Sequence, residues 1–248
     1  MKPAIVGITG LVAGAAISAA VFASGTPATA DKAAIEAIIH DYIVAHPDVI
    51  VDSVKKWQES AGDRQAEAAK STIKDKHDAI FNDKADAYAG NPKGDVVVVE
   101  FFDYNCPACK MMFQGLDELI KKDKNVKVIF KEMPIFGEQS NKNSAVGLAV
   151  ANLAPEKYLA FHEGVMKSEG RITPEQAIKV AVGLGLKEED IKTEMESEAI
   201  TKKIQETHIL ADSLGVRGTP ALIIGDTLIP SAIGYDALKT QVEAQRKK

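Results

Sequence analysis

The chain has 248 residues, 46% of them hydrophobic and 26% charged, with a net charge of −5. So mild a charge argues against a nucleic-acid partner or an anionic membrane surface, and an aromatic content of 6% with one Trp argues against a stacking surface for sugars or bases. The length permits one medium domain with an appendage, or two small domains.

Residues 1–30 read as an export signal. Lys2 gives a positive start, residues 5–22 are apolar with small polar interruptions, and Ala28-Thr29-Ala30 offers an A-x-A cleavage site before Asp31. Val21-Phe22-Ala23 is a second such site. An uncleaved anchor is the alternative, since roughly 18 apolar residues is the lower edge of a membrane span. A cleaved signal of this type places the mature chain in an oxidising compartment, the bacterial periplasm.

From Asp31 the pattern is helical. Ile35, Ile38, Ile39, Tyr42 and Ile43 form an apolar stripe at i, i+3, i+4, i+7 and i+8. His46-Pro47 stops that helix, and Pro47 starts a second through Ile50, Val54 and Trp57. A hairpin of this size is too small to bury its own stripe. Residues 62–88 are rich in Ala, Lys, Asp and Glu, with Ala66, Ile73, Ile80 and Ala87 recurring every seven residues. They read as a solvated helical rod ending at Asn91-Pro92-Lys93-Gly94. The hairpin either folds back on the main body or pairs with copies of itself. A polar rod advancing about 1.5 Å per residue carries it away from the body, which favours a homodimer or homotrimer formed through residues 31–60.

Val96 to Val99 is a β-branched run, expected as a strand covered on both faces. Glu100 inside it is anomalous: a carboxylate there must reach solvent or have a functional partner. Phe102-Asp103-Tyr104-Asn105 leads to the two cysteines of the chain, Cys106 and Cys109, and to a helix over 110–122. Pro107 suits the first helical turn, so Cys106 sits where unpaired backbone N–H groups and the helix dipole favour thiolate. Zinc would require two more ligands at suitable spacing, c-type haem would require His where Lys110 stands, and so short a loop makes a poor structural disulfide. Redox exchange through Cys106-Pro107-Ala108-Cys109 is the reading that survives.

Residues 125–130 form a second strand, giving a β-α-β unit and parallel pairing. Residues 139–214 are almost wholly helical, with stripes at Ala145, Leu148, Ala149 and Leu153 and at Tyr158, Phe161, Val165 and Met166. Thr173-Pro174-Glu175-Gln176 is a helix start and Gly183 a stop. At least one more helix is expected over about 188–214, and His162 and His208 are read as surface or helix-face residues rather than ligands. Thr219-Pro220, the apolar run Ala221 to Ile224, a turn at Gly225-Asp226 and a last helix from Tyr235 complete the chain.

The run Val99-Glu100-Phe101-Phe102 with Cys106-Pro107-Ala108-Cys109 resembles the active-site segment of DsbA-like proteins, periplasmic members of the thioredoxin superfamily. The arm resembles the N-terminal extension of oligomeric members, including the suppressor-of-copper-sensitivity C group. The resemblance implies an α/β thioredoxin fold over 91–248 with a helical insertion at about 138–212, preceded by a helical oligomerisation arm and linker over 31–90. It implies a catalytic pair, Cys106 and Cys109, forming the redox-active disulfide; Glu100 as the acid that moves the Cys109 proton; and Thr219 with a cis Pro220 holding an extended substrate. The implied function is disulfide isomerisation or formation in exported proteins, with no metal and no cofactor, served by a membrane redox partner of the DsbB or DsbD type. An envelope copper-binding or holdase protein using the same thiols is the alternative. Two positions depart from the family pattern: Ser231, where many relatives have Gly, and Ala108, where the best-known oxidase has His. Losing one hydrogen-bond donor at 108 shifts the balance by about 1–2 kcal/mol, so an oxidising-to-intermediate potential is expected.

Overall fold

A computed structural model describes residues 31–247; the export signal read over 1–30 lies outside them. The chain divides into two units, with the boundary at Gln58/Glu59.

In the first unit, helix α1 (Lys32–Ala45) begins where the Asp31 side chain accepts the Ala33 N–H at 3.1 Å. It ends at His46, and α2 (Asp48–Asp75) follows Pro47 directly. No residue of α1 is buried, and Ile38, Tyr42, Val51 and Trp57 are each more than half exposed. Among the described residues of this unit, 31–58, apolar side chains lie at the surface and none is buried.

The second unit is built on a five-stranded sheet in the order β1-β3-β2-β4-β5, comprising β1 (Ala87–Gly90), β2 (Val96–Phe102), β3 (Val126–Glu132), β4 (Ala221–Ile224) and β5 (Thr227–Ile229). Only β2 and β3 pair in parallel, as the crossover through α4 (Pro107–Lys122) requires. The alternation of the strands sorts the core into two layers. Val96, Val98 and Phe102 of β2, with Val126, Val128 and Phe130 of β3, face α4, the insertion and the last helix, α10 (Tyr235–Arg246). Val99, Phe101 and Ile129 face the other way, where Ile73, Ile80, Leu210 and Leu214 cover them.

That second layer corrects the solvated rod expected over 62–88. α2 stops at Asp75, a short α3 (His77–Phe81) follows, and Ala87–Gly90 is a strand rather than the end of a helix. A central strand apolar on both faces must be covered on both, and Ile73 and Ile80 contribute to that cover together with Leu210 and Leu214. The segment after α3 is further tied down by charge: Lys131 of β3 and Lys203 both contact the buried Asp86, Lys203 at 2.5 Å, and Lys203 also reaches Asp83 at 2.5 Å.

The insertion comprises α5 (Glu138–Leu153), α6 (Tyr158–Met166), α7 (Pro174–Gly183), α8 (Glu188–Met195) and α9 (Glu198–Ser213). The α7 start is a full capping box, with Thr173 and Gln176 reciprocally bonded. The helical stretch expected over 188–214 holds two helices, because the Ser197 side chain caps a fresh start at α9. Of the two positions expected for the histidines, both residues take the helix face: His162 is fully buried among aromatic rings on α6, and His208 is half-buried on α9.

Candidate active site

β2 ends at Phe102, and the next three residues are each held from outside the loop or by its own turn. The buried Asp103 carboxylate accepts the Asn105 N–H at 2.7 Å and the Ile135 and Phe136 N–H groups at 2.7 and 3.1 Å. Asn105 exchanges two hydrogen bonds with the backbone of Ile172, at 2.8 and 3.2 Å, which ties the loop to the insertion. Lys110 does the same one turn into α4, donating to Ser168 O, Ser168 Oγ and Gly170 O.

Cys106 is then the N-cap of α4, with Pro107 in the first turn, and both cysteines are free thiols. Their environments push them apart. The Cys106 thiol falls to about 6, chiefly through the hydrogen bond from Cys109, with Thr219 and the backbone N–H groups of Cys109 and Ala108 assisting against burial. Cys109, fully buried, is pushed far up by desolvation and by the charges of Cys106 and Glu100. One thiol is therefore a thiolate at neutral pH and the other is not.

Thr219 and Pro220 face this pair. Cys106 Sγ lies 3.2 Å from Thr219 O, the Thr219–Pro220 peptide is cis, and the Thr219 hydroxyl is buried. Glu100 lies in the middle of the sheet, paired with Phe130 on one side and Leu222 on the other. It shares the strand parity of Val98 and Phe102, hence the face of α4 and the thiols. Both its oxygens are buried without a hydrogen bond, and burial first, the Cys106 charge second, holds its pKa well above the ordinary range. The structure thus brings together all five residues singled out in the sequence. Sequence reading missed Asp103, Asn105 and Lys110. The spacing of Asp103 and Asn105 is an Asx-turn signal for the first two, and nothing local marks Lys110. Among the described residues no group of three or more His, Cys, Asp or Glu is placed to hold a metal.

Comparison with known proteins agrees with this geometry. Residues 97–243 match the DSBA-like thioredoxin domain, and residues 31–68 match the copper resistance protein ScsC N-terminal domain. The solved thioredoxin-like oxidoreductase of Silicibacter pomeroyi is 36% identical with a TM-score of 0.65, covering 69% of this chain and 98% of that one. The catalytic domain of Proteus mirabilis ScsC is 32% identical with a TM-score of 0.66, covering 72% and 99%. Disulfide bond formation protein D of Bacillus subtilis is 24% identical over 174 residues, covering 66% of this chain and 78% of that protein. The family match spans more than half of the chain and takes in the strand, both cysteines and Pro220, and with these likenesses in sequence and fold the chain belongs to the DsbA-like thioredoxin family of thiol:disulfide oxidoreductases.

Proposed function

We propose that this protein is an exported, oligomeric disulfide isomerase, with net disulfide formation as its second activity, acting on periplasmic proteins through Cys106 and Cys109. The observation that supports this most directly is the asymmetry of the pair: a thiolate at the helix N-terminus against Thr219 and Pro220, and a buried neutral thiol one turn below.

The cycle follows from that asymmetry. The Cys106 thiolate attacks one sulfur of a substrate disulfide; the substrate S–S bond breaks, an S–S bond to Cys106 forms, and the other substrate sulfur leaves as thiolate and takes up a proton. Joining Cys106 to substrate removes the negative charge that opposes ionisation of Glu100. Glu100 can then accept the Cys109 proton, and Cys109 attacks Cys106 to release the substrate as a second thiolate. In isomerisation the substrate's own thiol displaces Cys106 instead. In the oxidising direction a substrate thiolate attacks Cys106 of the disulfide, and Cys109 leaves and takes its proton from Glu100. Thr219, next to Pro220, presents backbone groups to an extended chain in the manner of an added strand.

Direction rests on the arm. The exposed apolar residues of α1 and the start of α2 supply a surface for joining copies through residues 31–60. Several thiol pairs on one scaffold can hold a client while its bonds are reshuffled, with recharging by a membrane partner of the DsbB or DsbD type. Refolding of a scrambled-disulfide substrate tests this. Wild type is expected to restore native pairing, Cys106→Ala to fail, and protein lacking the arm to oxidise thiols but lose isomerisation. Equal refolding by Cys106→Ala would remove catalysis by this thiol, and stoichiometric Cu(I) binding without refolding activity would favour the copper-binding or holdase alternative.

A further inference from the structure

Beside the active-site loop lies a second set of buried titratable side chains that the exchange cycle does not use. Glu132 ends β3 opposite Phe102 and shares the strand parity of Phe130, so it faces the insertion and α4 rather than the layer occupied by its neighbour Lys131. Its Oε1 accepts the hydroxyls of Tyr104 at 3.3 Å and Tyr158 at 3.2 Å, and His162 Nδ1 lies 3.4 Å from the Tyr104 hydroxyl. All four side chains are buried. The helix α5 packs so closely here that a Cβ on Gly147 would lie 2.5 Å from Glu132 Oε1 and 2.6 Å from the Tyr104 hydroxyl.

The groups facing the carboxyl are Tyr104 and Asp103 from the loop, Ser144 from α5 and Tyr158 from α6, with His162 of α6 behind the Tyr104 hydroxyl. None is a cation at neutral pH, because burial drives His162 down to about 3. A buried carboxylate with no cation to meet takes up its proton instead, and burial raises Glu132 to about 8. The loop before Cys106 is therefore pinned at three successive residues: Asp103 by the 135–136 backbone, Tyr104 by Glu132, and Asn105 by Ile172.

We propose that Glu132, as a neutral carboxylic acid, is a positioning residue for the thiol pair: it fixes Tyr104, and through Tyr104 the loop that holds Cys106 Sγ at the N-terminus of α4. The inference rests on Cys106 being the attacking thiolate. Its function is to pre-organise the sulfur against the helix N–H groups, so that losing it lets the loop drift and the thiol revert toward its ordinary pKa. A residue that only stabilised the fold would move the melting temperature and leave that pKa where it is.

The test is a pH titration of Cys106, read by thiolate absorbance and by alkylation rate, in full-length wild type, Glu132→Gln, Glu132→Leu and Tyr104→Phe. Gln keeps a neutral group with an acceptor oxygen for both tyrosines, and is expected to titrate with wild type below pH 8. Glu132→Leu and Tyr104→Phe are expected to shift the Cys106 midpoint upward by roughly half a pH unit or more. Should Glu132→Leu fail to fold, Tyr104→Phe, which keeps the ring, decides alone. The inference is overturned if Tyr104→Phe titrates with wild type, or if Glu132→Gln shifts as far as Glu132→Leu. A wild type with no thiolate below pH 8 would overturn the reading of Cys106 and this inference with it.

Discussion

Glu100 sits at the centre of the sheet with neither carboxyl oxygen hydrogen-bonded, which costs about 1–3 kcal/mol relative to an apolar side chain of similar shape. Its folded-state pKa is raised, so folding favours the protonated acid. A further, ionisation-linked cost is absent below its ordinary pKa of 4.5 and grows as pH rises above it. Glu100→Leu is therefore expected to raise stability by about 1–3 kcal/mol at pH 4 and by more than that at pH 8, and to slow the step at Cys109 by about 10²-fold or more. Urea unfolding at the two pH values, with stopped-flow reduction beside it, checks the pair of effects; a less stable variant at pH 8 would contradict the assignment. Glu100 is legible in the sequence because a lone carboxylate in a run of Val and Phe has no bland explanation. Cys106 is legible for a similar reason, since proline next to a thiol marks a helix start. Glu132 and His162 are not legible. A Glu closing a strand beside Lys131, and a His on a helix, read as solvent-facing until strand register and the insertion enclose them.

At the scale of elements, the strands, α4, the capped α7 and α10 follow from periodicity and caps, whereas β1 does not. Ala87-Tyr88-Ala89-Gly90 has little strand propensity of its own, and its strand is made by antiparallel pairing with β3. What holds its approach is Asp86, buried between Lys131 and Lys203. Removing one member of such a cluster leaves uncompensated charge, so Asp86→Ala is expected to cost about 3–5 kcal/mol, measured by chemical denaturation. A loss below 1 kcal/mol would mean that the cluster does not secure this segment. Gly147 shows packing overriding propensity in the same way. An exposed Gly to Ala change within a helix gains about 1 kcal/mol, but here the added methyl meets Glu132 and Tyr104. Gly147→Ala is expected to destabilise by about 1–3 kcal/mol, and a rise in melting temperature would contradict the close packing of α5 on the loop.

On the scale of the whole molecule, the division at Gln58/Glu59 moves the boundary that composition alone suggests at residue 91. A truncation at 91 would strip Ile73, Ile80 and β1 from the catalytic unit, so the informative deletion stops at residue 58. Protein beginning at Glu59 is expected to sediment as a monomer and the mature full-length chain as a dimer or trimer. If both run as monomers, the proposed role of the arm is wrong. Its apolar surface is legible from the stripe of Ile and Tyr, because a short helical hairpin has nothing of its own to bury that stripe against.

The account stands chiefly on Cys106 as nucleophile and Cys109 as resolving thiol, and trapping the intermediate tests that division directly. Cys109→Ser keeps a hydrogen-bond donor beside Cys106 but removes the group that releases the substrate. Incubated with a disulfide-containing client, this variant should accumulate a mixed disulfide through Cys106 that persists in non-reducing gels and disappears on adding reductant, while Cys106→Ser should trap almost none. Equal trapping by both variants, or none by Cys109→Ser, would contradict the assignment of the two thiols.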